Sequence, residues 1–161
     1  MPLRWVVALA LAVCALLGAS PARAWQEAHE TADDVHVVVD ASGVAAVEHV
    51  VAWRVVHGPL SWIELSNVDP AAVLESDVAI AGEDGRPVSA GHLARREGGA
   101  VRVTIDAPHS LMRGVFRFDV RWRVDLAATH ALARDGAAWR VTLTSPIASD
   151  GFDVARTVID V

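Results

Sequence analysis

Cysteine is nearly absent from this chain, and lysine and tyrosine are missing altogether. The single cysteine, Cys14, lies in the first apolar stretch. The rest of the chain therefore has no disulfide, no thiolate metal ligand and no cysteine nucleophile. No phosphate loop, dinucleotide fingerprint, His-Glu-x-x-His or Gly-x-Ser-x-Gly motif occurs, which removes the common nucleotide, zinc-protease and serine-hydrolase signatures. Basic charge is also scarce: 14 arginines stand against 20 acids, for a formal charge of −6. An acidic surface repels nucleic acid and anionic headgroups, so no nucleic-acid partner is expected.

Residues 1–24 read as a helical, cleavable signal peptide. Arg4 gives the positive start, Val6 to Leu17 the apolar run, and Ala22-Arg23-Ala24 a small-x-small cleavage site. The apolar run is shorter than the roughly 20 residues that span a bilayer, and Val13 before Cys14 is too large for a lipid-attachment site. Cleavage after Ala24 leaves Trp25 at the N-terminus of 137 residues. Without Arg4 and Arg23 the charge of −6 becomes −8. The expected location is periplasmic or secreted, with no membrane span in the mature chain.

Beyond this segment, residues 25–34 are polar and acidic and read as a flexible lead-in to a domain over 35–161. Val35, Val37 and Val39 alternate with His36 and Val38, the two-residue period of a strand. Asp40-Ala41-Ser42-Gly43 is a turn, and Val44 to Val56 a long second strand. Pairing Asp40 with Val44 sets Val37 opposite Val47, Val35 opposite His49 and His36 opposite Glu48, with both apolar faces on one side. A one-residue slip would separate them. In Val115–Val124 the residues Phe116, Phe118, Val120, Trp122 and Val124 share one face, with Arg117, Asp119, Arg121 and Arg123 on the other. Val101, Val103 and Ile105 alternate clearly with Arg102 and Thr104, and further strand patterns cover 73–81, 88–93, 139–143 and 154–161. About eight short strands separated by turns predict an all-β antiparallel sandwich. The chain stops inside a strand-like run, which reads as a fragment of a longer protein.

The seven histidines are dispersed. Two sets have carboxylates near them: His36 with Glu48, read as a surface cross-strand pair, and His29 with Glu30, Asp33 and Asp34, read as a solvated acidic terminus whose alternative is a weak calcium contact. His49 lies on an apolar face and reads as a hydrogen-bonded core or rim histidine. Trp62, between strands, reads as a plug for one end of the core or, alternatively, as a contact for sugar or a partner protein. The Arg117, Arg121 and Arg123 stripe reads as a solvated outer face. No catalytic, cofactor or metal residue is assigned, and no cofactor is expected.

The run Val35 to Val56 (VHVVVDASGVAAVEHVVAWRVV), with its Asp-x-x-Gly turn, resembles the opening hairpin of the predicted bacterial membrane proteins called domain of unknown function 2207. Phe118–Val124 and Asp150-Gly151-Phe152-Asp153-Val154-Ala155 are similar to the later part of that domain. The resemblance covers most of 35–161 in layout and implies an extracytoplasmic β-domain. Those proteins carry transmembrane helices after it, and this chain has none. No site residues come with the family. The sequence thus reads as a non-enzymatic interaction or structural module of the cell envelope, with an envelope protein or glycan as partner. The alternatives are a carbohydrate-binding or hydrolase accessory domain using Trp62, and a hydrolase whose acids converge only on folding.

Overall fold

A computed structural model describes residues 26–136, 138–142 and 154–160. The expected signal peptide, the Ser145-Pro146 break and the Asp150–Asp153 stretch lie outside them. The strands are β1 (Glu27–Val39), β2 (Val44–His57), β3 (Trp62–Leu65), β4 (Val73–Leu74), β5 (Asp77–Gly82), β6 (Pro87–Arg95), β7 (Val101–Ile105), β8 (Gly114–Asp125), β9 (Leu132–Asp135), β10 (Ala138–Val141) and β11 (Val154–Asp160). Helix is limited, among the described residues, to one 3₁₀ turn at Pro108–Ser110.

The β1–β2 hairpin has the expected register, with Val39 opposite Ala45, Val37 opposite Val47, Val35 opposite His49 and His36 opposite Glu48. Its turn is held by Asp40, whose Oδ1 accepts from the Ser42 hydroxyl at 2.5 Å and from the N–H groups of Ser42 and Val44. Gly43 sits at φ +87°, a conformation an L side chain resists. The long strand β2 then pairs along its length with β8.

The layout differs from two stacked antiparallel sheets. Nine strands join one sheet in the order β11-β1-β2-β8-β5-β6-β7-β3, with β4 beside β8, and β9–β10 make a separate ribbon. The sheet is mixed, because β11 runs parallel to β1. Laid flat at about 4.8 Å per strand, β1 and β3 would be roughly 29 Å apart. Val35 and Val37 of β1 nevertheless share one core with Ile63 and Leu65 of β3. The sheet therefore curls around its own apolar face, and the alternating inner side chains of β1, β2, β8, β5, β7 and β3 fill the curl. Phe118 and Val120 are fully buried there, while Arg117, Arg121 and Arg123 face out.

Most of the lead-in is itself part of the sheet. Strand β1 starts at Glu27, so most of 25–34 is paired with β2. The register shifts between Glu30 and Ala32, where Glu30 faces Trp53 and Ala32 faces Ala52. Thr31 is the extra residue of a bulge, and its hydroxyl donates to the Ala52 carbonyl at 3.3 Å. The bulge resets the alternation, so Glu30 and Asp33, three apart, both point inward.

Candidate functional site

At one end of the curl the sheet borders a half-open cavity of about 590 Å³. Its floor is apolar: Val35 and Val37 of β1, Val47 of β2, and Trp122 and Val124 of β8, none more than 6% exposed. One wall is Thr157 and Ile159 of β11. The facing wall is the segment Ser66–Pro70 after β3 and the turn Gly98–Ala100 between β6 and β7.

A single side chain ties that second wall together. The Arg95 guanidinium donates to the carbonyls of Val68 (3.5 Å), Asp69 (2.9 Å), Ala72 (3.4 Å) and Gly99 (3.2 Å). Both lengths of wall bend through left-handed conformations, at Asn67 (φ 60°) and at Gly98 and Gly99 (φ 90° and 92°). Asp69 is the one ionisable residue among the described lining residues, and its Oδ1 accepts the Ala71 N–H at 2.8 Å. An apolar floor under a rim of backbone groups suits binding.

A second feature lies one row deeper. His49 is fully buried, and its Nε2 is 2.5 Å from Oδ1 of Asp33, itself 4% exposed. One proton lies between these two atoms and joins the ring to the carboxylate. The ring meets Trp122 edge-on at 5.8 Å between centroids. Its Nδ1 is buried with no hydrogen-bond partner, as is Nε1 of Trp53. Glu30, 3% exposed, is inward-facing on the same strand as Asp33. The expected core histidine is thus in place; its acidic partner went unread, because Asp33 appears in sequence as part of a polar terminus.

The other candidate residues are distributed as follows. The His29 set separates: exposed His29 contacts half-buried Glu27, Asp34 pairs with Arg156 on the outer face, and Glu30 and Asp33 turn inward. His36 and Glu48 are opposite in register, but the His36 ring bonds Asp160 of β11 at 2.6 Å. Glu48 instead accepts from Arg121, which Asp119 also holds, both at 2.7 Å. These carboxylates raise the Arg121 pKa above its ordinary value, Asp119 most strongly. Among the described residues no group of three or more His, Cys, Asp or Glu could hold a metal ion, and no helix is long and apolar enough to cross a membrane.

Trp62 does not plug the core. It opens the edge strand β3, 47% exposed, with the Arg102 guanidinium 4.2 Å from its ring centroid. Arg102 is fixed there by Glu64 at 2.8 Å. The core beneath is filled by Ile63, the next residue, which points the other way.

These features define a curled mixed β-sheet with an apolar cavity. No family model matches the chain, and no curated protein matches it. Among solved structures it is similar to an M1 zinc metallopeptidase from Deinococcus radiodurans, with 16% identity and a TM-score of 0.42 over 66% of this chain and 22% of that one. It is also similar to native yeast LTA4 hydrolase, with 15% identity and a TM-score of 0.44 over 73% of this chain and 19% of that one. The chain thus spans about a fifth of each of those proteins, and likeness at this level assigns neither family nor activity.

Proposed function

We propose that this chain is an exported, non-enzymatic interaction module of the bacterial cell envelope, and that its binding site is the cavity at the end of the curled sheet. The cavity carries the reading: its volume lies in the range of small-molecule sites, and an apolar floor meets a rim with the polar side chains of Ser66, Asn67, Thr142 and Thr157 and one carboxylate, Asp69, among the described lining residues. Export rests on the signal-like residues 1–24 and on the resemblance to an extracytoplasmic β-domain. The experiment has two arms. The N-terminus of the exported protein is sequenced, with Trp25 expected; a retained Met1 counts against export. The purified protein is then melted against a panel of small apolar molecules and envelope glycans. A saturable rise in Tm that Ala131→Phe removes supports the cavity, since Ala131 is part of its lining. A panel without any saturable shift, or a shift indifferent to that substitution, ends the reading.

One observation favours a second reading, a glycan-binding accessory module. Trp62 offers an exposed indole held in place from one face by Arg102, an arrangement suited to stacking on a sugar ring. Oligosaccharide binding lost in Trp62→Ala and kept in Ala131→Phe would select it.

A further inference from the structure

The lining of the cavity also restricts the chemistry of what enters it, and this step rests on the binding reading above. The cavity is open to solvent and roomy enough for water to enter. Water over Val35, Val37, Val47, Trp122 and Val124 meets carbon, so an apolar ligand displaces it favourably. Ile159 marks the contact surface. It lines the cavity, yet is 45% exposed, whereas the floor residues are almost completely covered.

Charge decides the class. An anion entering here finds Asp69 and no cationic side chain among the described lining residues. Arg95, behind the wall, already donates to four backbone carbonyls. Asp69 in turn is engaged at the rim by the Ala71 N–H. We propose that the cavity binds an uncharged, predominantly hydrocarbon small molecule, with Ile159 as a contact residue and the Arg95-tied wall as its rim.

The test compares two fluorescent probes that share one aromatic skeleton: N-phenyl-1-naphthylamine, which is neutral, and 8-anilinonaphthalene-1-sulfonate, which carries a sulfonate. The intact exported protein should bind the neutral probe saturably, one per chain, and the anionic probe at least about tenfold more weakly, because a buried unpaired charge is costly. Ile159→Arg, at a half-exposed position on the wall, places a cation in the lining. It should weaken the neutral probe and strengthen the sulfonate, with far-UV circular dichroism and Tm unchanged. Equal or tighter binding of the sulfonate by the unmodified protein overturns the ligand class and leaves the binding reading standing, as does preference for an amine-bearing cationic analogue. Neutral-probe binding indifferent to Ile159→Arg overturns the assignment to this cavity. Saturable binding of none of the probes ends the inference and, together with a silent ligand panel, the binding reading as well.

Discussion

Strands β8 and β1 face the same core yet are built differently. The inner face of β8 carries only aliphatic and aromatic side chains, from Phe116 to Val124. The inner face of β1 begins with Glu30 and Asp33 before it turns to Val35, Val37 and Val39. On β8 each large side chain contributes roughly 1.5–3 kcal/mol by leaving water. On β1 a carboxylate leaves water at a cost of several kcal/mol, repaid only through a good partner. Asp33 has one in His49 at 2.5 Å. The contrast shows that position on the inner face does not fix a residue's energetic role. The first strand carries a polar device in a place that the eighth fills with carbon.

Substitutions can break this contrast, and the largest effect belongs on β8. Phe118→Ala removes a fully buried ring and should cost about 3–5 kcal/mol in denaturant unfolding; a loss under about 1 kcal/mol would mean that β8 is not the centre of the core. Asp33→Ala comes next. It leaves both ring nitrogens of buried His49 unsatisfied, at about 1–3 kcal/mol. The double change Asp33→Val with His49→Val should recover most of that loss, because an apolar pair of similar size can replace a buried polar one. Failure to recover would assign the polar pair a larger share of stability than its geometry supports.

Arg121→Ala, on the exposed back of β8, should change stability by no more than about 1 kcal/mol despite its two carboxylate partners, and its effect should fade in high salt. An effect approaching that of Phe118→Ala would erase the distinction between the faces of the strand. The smallest effect is expected at Asp40. The Ser42 hydroxyl, followed by the N–H groups of Val44 and Ser42, holds its carboxyl below the ordinary value of 3.8. A depressed folded-state pKa adds stability above the unfolded value, lost as pH falls through the folded one. The Asp40 contribution should therefore be complete at neutral pH and disappear only in acid below the usual carboxylate range. Carboxyl chemical shifts followed by NMR should place its midpoint below that of a model aspartate; a midpoint at or above 3.8 would contradict the turn geometry.

The same contrast explains what was legible in the sequence. Strand β8 was readable because apolar and charged residues alternate without interruption. The register of β1 with β2 was readable because a short turn and two matching valine faces fix it locally. The start of β1 was hidden by the Thr31 bulge. Once the alternation breaks, Glu30 and Asp33 no longer share a two-residue period, and an inward-facing acid looks like part of a solvated terminus. Long-range pairing was hidden for another reason. Nothing local in β2 specifies β8 as its second neighbour, and nothing in Val154–Asp160 specifies a parallel place beside β1, so one curled sheet read as two stacked ones. The cavity was the least visible, since its lining comes from segments scattered between Val35 and Ile159. Of the two readings of Trp62, the plug is the one that fails, because its neighbour Ile63 fills the core.

The pairing of β11 with β1 also governs the order in which the molecule is completed. Asp34 and Arg156, joined across these strands, are 122 residues apart. The hairpin partner of β1 follows it directly, so one side of β1 is covered early. The other side is a row of open backbone donors and acceptors until nearly the whole of residues 1–160 has been made and β11 arrives. Contacts so distant in sequence form slowly, and an uncovered strand edge is a template for any passing chain. Among the described strands, β1 thus comes first in the chain and yet gains its second neighbour from the last, β11.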